Sequence, residues 1–394
     1  RGRPTHRREE DHLDAGRVTM AVAPPAPIDV VSAMRRALDL ARRGEGLVEP
    51  NPQVGAVVLA ADGRTVGEGW HARFGGPHAE VVALDAAGEA ARGGTLVVTL
   101  EPCCHHGKTP PCTEAVIAAG VKRVVVGAGD PFPEVSGRGL ARLREAGLEV
   151  VAGCLADEAE RLTAPFRRLV RDGRPWVIAK WAMSLDGRIA TARGDSRWIS
   201  GEASRELVHA LRGRMDAILV GIGTALADDP LLTARPSGPR RALRVVVDSL
   251  ARLPVASRLV ASVPETPLLV AVGPDATAER VAALRAAGAE VWRGEEVDRA
   301  ARLTALLAHL GRRKVTNLLV EGGSALLGGL LDARLVDEVW AFVAPKLLGG
   351  ATAPAPVGGR GVARVADGLP IAVEEVRTLG ADLLVRGTLA GTRD

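Results

Sequence analysis

The sequence predicts an α/β protein built as two domains, and three observations carry that expectation. Short apolar runs bounded by glycine, proline or aspartate recur along the chain and read as buried strands. Segments with apolar residues at helical spacing separate them. At 394 residues, the chain is also too long for one ordinary hydrophobic core.

In the first half, Ser32 to Arg43 is a helix by its spacing, ended by Gly44 and Gly46. Val54 to Ala60 is a buried strand, and the Asp62-Gly63 turn leads to a second one, Thr65 to Trp70, which makes a hairpin. Gly75-Gly76-Pro77 stops that strand, and Ala79 to Ala91 is helical by composition. Thr95 to Leu100 is a third strand, and Pro111 suits the first turn of a helix containing Cys112. Strands at Arg123 to Gly127 and Leu148 to Ala152 flank a helix from Gly139 to Ala146. The order α-β-β-α-β-α-β-α-β describes a three-layer α/β unit.

Leu155 to Val170 is amphipathic, and Arg171-Asp172-Gly173-Arg174-Pro175 breaks it, so the domain boundary is expected there. That division gives an extension at residues 1–27, expected to be disordered, a first domain at 28–172 and a second at 173–394. In the second domain, strands are expected at Trp176 to Ala182, Ala217 to Gly221, Leu243 to Asp248, Pro267 to Val272 and Thr316 to Glu321. Helices are expected at Gly201 to Arg212, Ala276 to Ala287 and Asp298 to Gly311. Asp337 to Ala344, Ile371 to Arg377 and Leu383 to Leu389 read as strands closing a mixed sheet.

Bulk properties exclude several functions. A net charge of +4 over 394 residues does not indicate a nucleic-acid binder, although anionic small substrates fit it. No apolar run reaches the roughly 18 residues that would span a bilayer, and the first nineteen residues lack the apolar core of a signal peptide. Four cysteines, three of them clustered, suit a metal site in a reducing cytoplasm, with Cys154 expected to be a small buried residue.

The cluster is the most informative stretch. His78, Cys103 and Cys112 supply one imidazole and two thiols, which matches a catalytic zinc with three protein ligands and an open fourth position. Glu80, two residues from the histidine, is then free to carry protons. The order H-x-E followed by P-C and a second cysteine is that of hydrolytic deaminases. A purely structural zinc with Cys104, His105 or His106 as fourth ligand is the competing reading, but it gives Glu80 no use. Later in the chain, Leu318 to Gly329 runs a buried strand into a glycine pair and a helix start, where free amides can cradle a phosphate.

These motifs acquire context together. Asn51-Pro52-Gln53-Val54-Gly55, Gly67-Glu68-Gly69-Trp70-His71, His78-Ala79-Glu80, Glu101-Pro102-Cys103 and the long loop to Pro110-Pro111-Cys112 resemble the deaminase half of the bifunctional riboflavin-biosynthesis deaminase–reductase family. Lys180 to Gly187, Ser196 to Ser200, Leu226 to Thr233 and Glu321-Gly322-Gly323 are similar to its reductase half. Lys108 stands where the family commonly has Arg, and Phe132 where it often has Asn.

The resemblance implies a cytidine-deaminase-like α/β/α domain followed by a dihydrofolate-reductase-like α/β domain. It implies Zn2+ and NADPH as cofactors, a phosphorylated pyrimidine substrate, a cytoplasmic homo-oligomer, and neither nucleic acid nor membrane as partner. By position, Asn51, His71 and Lys108 would contact the deaminase substrate. Ala182, Trp198, Thr224, Asp228, Ser249 and the run Gly323, Ser324, Ala325, Leu326, Leu327, Gly328 and Gly329 would contact the nucleotide. Ser196, Arg212, Leu232, Arg235 and Glu321 would hold the reductase substrate, with the two arginines gripping its phosphate. Asp186 and Glu321 are the carboxyls considered as proton donors. The rivals are a deaminase of cytidine or tRNA adenine, and a zinc-stabilised binding protein with decayed sites.

Overall fold

The computed structural model describes residues 29–105 and 110–389, so the extension at 1–27, His106 and Lys108 lie outside the described residues. The first unit runs α1 (Val30–Arg42), β1 (Gly55–Leu59), β2 (Thr65–Trp70), α2 (Ala79–Ala87), β3 (Thr95–Leu100), α3 (Cys112–Ala118), β4 (Arg123–Ala128), α4 (Arg138–Glu145) and β5 (Glu149–Ala152). Its sheet has the order β2-β1-β3-β4-β5, with β1 antiparallel to both neighbours and β3, β4 and β5 parallel. Side chains alternate across it, so Val58, Leu96 and Val126 enter one core and Val57, Val97 and Val125 the other.

Two glycines on β2 set the depth of α2. A Cβ on Gly67 would lie 2.1 Å from the Ala83 carbonyl oxygen, and one on Gly69 would lie 2.5 Å from that of Ala79. Helix and strand therefore meet backbone to backbone, which fixes the start of α2 beside Trp70 and His71.

The amphipathic stretch expected from Leu155 to Val170 is two helices, α5 (Ala156–Leu162) and α6 (Ala164–Asp172). They part at Thr163, whose hydroxyl donates to the Ala159 carbonyl at 3.0 Å, while Pro165 occupies the first turn of α6, where its missing N–H costs nothing.

The second unit comprises β6 (Trp176–Ser184), α7 (Glu202–Arg212), β7 (Ala217–Gly221), α8 (Ile222–Asp228), β8 (Leu243–Val247), α9 (Arg258–Ala261), β9 (Leu268–Val272), α10 (Ala278–Ala286), β10 (Glu290–Arg293), α11 (Arg299–Arg312), β11 (Asn317–Glu321), α12 (Ser324–Asp332), β12 (Glu338–Ala344), β13 (Ile371–Leu379) and β14 (Asp382–Leu389). The sheet order is β10-β9-β8-β7-β11-β6-β12-β14-β13, parallel from β10 to β12, with β14 antiparallel to both its neighbours. Both faces of the parallel part are covered, so its strands are almost wholly apolar. The sequence gives no expectation of α8, α9 or β10, each seven residues or fewer.

The units meet through polar contacts. Arg240 donates to the carbonyls of Gly46 at 3.1 Å and Glu49 at 2.7 Å, and pairs with Asp216; Arg214 pairs with Glu45 at 2.9 Å. Arg174, after α6, clamps the buried Asp337 carboxylate at 2.7 and 2.9 Å, with Arg168 at 3.0 Å.

Candidate active sites

In the first unit, α2, α3 and the end of β3 converge. His78 caps α2, Cys112 opens α3, and Cys103 follows β3 by three residues. The His78 Nδ1, Cys103 Sγ and Cys112 Sγ atoms all lie within 4.8 Å of one another, with His78 Nδ1 at 3.1 Å from Cys112 Sγ and 3.6 Å from Cys103 Sγ. Zinc bonds of about 2.0–2.3 Å in a tetrahedron put ligand atoms about 3.5–3.8 Å apart, so the donor set fits that ion. The Cys112 amide donates to Cys103 Sγ at 3.3 Å. A side-chain hydrogen bond from the Cys112 thiol lowers the Cys103 thiol to about 4, while that thiol-to-thiolate bond, with burial, pushes Cys112 up. One thiolate is thus already favoured, and a divalent cation would let both ionise.

Glu80 is 3% exposed in the first turn of α2, and burial pushes its carboxyl up. His71 and Asn51 stand beside the triad. The His71 and His78 rings are edge to face at 5.3 Å. His71 Nδ1 lies 2.9 Å from the Pro77 carbonyl, which makes that nitrogen the donor and leaves Nε2 to accept from Asn51 Nδ2 at 3.2 Å. Cys104 turns away, its Sγ donating to the Glu134 carbonyl at 3.8 Å, and His105 packs on Phe132. Neither joins the triad among the described residues. Cys154 is half-buried rather than buried, at the edge of the core.

Sequence reasoning missed Glu101. Its buried carboxylate accepts the amides of Asp130, Gly137, Gly139 and Leu140 at 2.9 to 3.3 Å. It ties the loop after β4 and the start of α4 to the segment carrying Cys103. The signal was a carboxylate held between a buried strand and Pro102.

In the second unit, a cavity of about 1140 Å³ opens at the C-terminal ends of β6, β7, β8 and β11. Ala182, Trp198, Thr224, Asp228 and Ser249 line it, as do Ser196, Arg212, Leu232, Arg235 and Glu321. Gly323 to Leu327 line it too, whereas Gly328 and Gly329 do not. A Cβ on Gly328 would lie 2.2 Å from the Gly358 backbone, and one on Gly329 would meet Leu303 and Arg299, so these two serve packing of α12. Gly322 and Gly323 have φ of +69° and +84°, the left-handed region, and turn the chain from β11 into the amide-bearing start of α12.

Arg212 spends its fork inside the protein: Nε and Nη2 donate to Glu321 at 2.5 and 2.9 Å, and Nη1 to the Thr233 carbonyl at 3.3 Å. This corrects the expectation that both arginines offer planar forks to a phosphate; Arg235 is the exposed one. Burial opposes ionisation of Glu321, but Arg212 and Lys180 outweigh it and hold the carboxyl at about 2. Asp186 accepts from Ser184 Oγ at 2.6 Å and from the amides of Gly349 and Leu348, and is likewise held at about 2. Neither carboxyl keeps a proton near neutral pH in the free protein. Lys180, 3.8 Å from Glu321 and lowered by burial, is a lining residue the sequence reading assigned no role. Its signal was a lone cation within the apolar run of β6.

The two sites and folds define a two-domain enzyme, a deaminase with a His/Cys metal triad joined to a reductase. A family described as "Cytidine and deoxycytidylate deaminase zinc-binding region" matches residues 29–128, and one described as "RibD C-terminal domain" matches residues 175–385. The chain is 40% identical over 352 residues to the riboflavin biosynthesis protein RibD of Actinobacillus pleuropneumoniae, covering 89% of this chain and 93% of that one. It is 42% identical over 368 residues to RibD of Escherichia coli K12, covering 89% and 96%. The solved RibD structure from Acinetobacter baumannii superposes with a TM-score of 0.79 at 36% identity, covering 92% of this chain and 99% of that one. The Thermotoga maritima deaminase/reductase gives 0.78 at 38%, with the same coverage. The chain belongs to the RibD family of bifunctional deaminase–reductases of riboflavin biosynthesis. Among the described residues, no helix is long and apolar enough to cross a membrane.

Proposed function

We propose that residues 28–172 hydrolytically deaminate 2,5-diamino-6-(5-phosphoribosylamino)pyrimidin-4(3H)-one. Residues 173–394 then reduce the ribosyl group to ribityl with NADPH, giving 5-amino-6-(5-phosphoribitylamino)uracil. The observation that carries this is the convergence of the His78, Cys103 and Cys112 ligand atoms beside a buried carboxylate, on the same chain as a reductase cavity. His78, Cys103 and Cys112 hold Zn2+. When bound, zinc supplies the Lewis acidity that makes water a nucleophile near neutral pH.

Glu80 carries both protons of the attacking water, the first to the ring nitrogen as the oxygen attacks and the second to the amine, which leaves as ammonia. Its burial supports that role, because burial pushes the carboxyl up from its ordinary value and so makes it a stronger base than an exposed carboxylate. Asn51 and His71 bind the pyrimidine: with one Asn51 N–H committed to His71, its remaining amide groups are fixed in direction. Lys108 meets the phosphate.

In the reductase, Gly323 to Leu327 and Thr224 cradle the nucleotide's phosphates, with Ala182, Trp198, Asp228 and Ser249 along the rest of it. Arg205 stacks over the Trp198 ring at 4.8 Å and holds that exposed indole in place. Arg252 and Arg299 line the cavity near Ser249, cationic surroundings that favour a ribose bearing a phosphate. Ser196, Leu232, Arg235 and the Arg212–Glu321 pair hold the ribosyl substrate. We further propose a cytoplasmic homo-oligomer; the exposed Val373 and Val376 on edge strand β13 support self-association.

Glu80→Gln tests the reading. It is expected to retain zinc by metal analysis, to lose at least a hundredfold in ammonia release, and to keep oxidising NADPH when given the deaminated intermediate. Ammonia release at the wild-type rate would overturn the deaminase assignment.

A further inference from the structure

The phosphate end of the reductase cavity lacks its second cationic fork, because Arg212 directs Nε and Nη2 at Glu321. Another basic group stands there. His209, in the last turn of α7, is half-buried and lines the cavity. Its Nδ1 lies 3.3 Å from the Thr233 carbonyl and its Nε2 lies 3.4 Å from Arg235 Nη2, while Arg235 Nη1 donates to Thr233 Oγ1 at 3.1 Å. A carbonyl accepts only, so Nδ1 carries the hydrogen and Nε2 accepts from the guanidinium. In the free protein the imidazole is therefore neutral and orients Arg235.

We propose that His209 is the partner of Arg235 in gripping the substrate's phosphate, orienting that arginine in the free enzyme and binding the phosphate monoester as imidazolium. This rests on the reading that the phosphate lies at Arg235.

The charges facing His209 explain the change. Burial most of all, then Arg212 on its own helix and Arg235 on the loop, oppose its protonation, whereas the Thr233 carbonyl and Glu321 on β11 favour it. Arg258 in turn faces Arg235. Once Nε2 gains a proton, it and Arg235 Nη2 are two donors 3.4 Å apart, an arrangement stable only with an acceptor between them. A phosphate dianion is such an acceptor, and its charge offsets both cations. The last turn of a helix also favours the protonated form, because the C-terminal end of the macrodipole is negative. By linkage, a ligand that prefers imidazolium must take up a proton on binding, and must bind more weakly as pH rises.

Isothermal titration with ribose 5-phosphate, in buffers of different ionisation enthalpy at pH 7.5, measures that proton. The wild type is expected to take up about half a proton or more per phosphate bound, and its Kd to rise several-fold, up to about tenfold per pH unit, from pH 7 to 8.5. The ligand is already largely dianionic in that range. His209→Gln, which retains an acceptor for Arg235, is expected to bind several-fold more weakly, with no proton uptake and a flat pH profile. Binding without proton uptake in the wild type, or unchanged uptake in the glutamine variant, overturns the role of His209. If Arg235→Ala also leaves the affinity for ribose 5-phosphate unaltered, the phosphate is not at Arg235, and the broader reading of that end fails with it.

Discussion

At the scale of single residues, buried charges do most of the positioning. Glu321 is the clearest case, since Arg212 and Lys180 hold it at about 2 against an ordinary 4.5. A carboxylate depressed in the fold contributes stability above its unfolded pKa and loses it as pH falls through the folded one. Glu321 is thus expected to contribute about 3 kcal/mol at pH 7, declining between about pH 4.5 and 2. Urea unfolding of Glu321→Gln measures this: the variant should be less stable at neutral pH by a few kcal/mol, and its stability should depend less on pH below 5. A variant as stable as wild type at pH 7 would contradict the ion-pair account. The residues themselves were partly legible. His78, Glu80, Cys103 and Cys112 could be picked out because zinc chemistry demands those types in that order. Glu101 and His209 could not, because what they do depends on amides and guanidinia far away in sequence.

At the scale of elements, the deaminase centre depends on how closely α2 lies on β2. Gly67 and Gly69 permit that approach, and His78 and Glu80 occupy the first residues of the helix so placed. Gly69→Val is expected to push α2 outward, costing about 1–3 kcal/mol or more. It should also weaken zinc binding at least tenfold in a chelator competition, while NADPH oxidation with supplied intermediate persists. Retention of full zinc affinity would show that the helix has room to spare. Long, strongly patterned elements were legible because apolar period and turn residues agree in them, as in β3 and α11. The short α8 was hidden because Gly221-Ile222-Gly223 reads equally well as a turn. The Leu155–Val170 stretch reads as a single amphipathic segment because periodicity continues across Thr163, although the hydrogen-bond ladder does not.

At the scale of the whole molecule, the two sites face different ends of the reductase sheet. The deaminase unit contacts Arg214 and Arg240, which precede β7 and β8, whereas the cavity lies past the C-terminal ends of those strands. Five-residue strands alone separate the two ends by about 16 Å. Direct transfer within one chain is therefore not expected. In a coupled assay, NADPH oxidation should show a lag that shortens as enzyme concentration rises. Oxidation without a lag at the lowest enzyme concentrations would argue for a protected route between sites.

The sequence by itself determined the two α/β units, the metal-ligand set with its free carboxylate, and the glycine turn before α12. Each of these follows from local pattern or from the chemistry a residue type can perform. Only the tertiary structure decided which groups are spent and which are free. Arg212 and Arg235 are the same residue type in the same reading, yet one is locked to Glu321 across the sheet and the other stands exposed beside an imidazole. The reason is physical: a charged group's function is set by the partners that desolvation forces upon it, and those partners come together only when distant strands and helices pack.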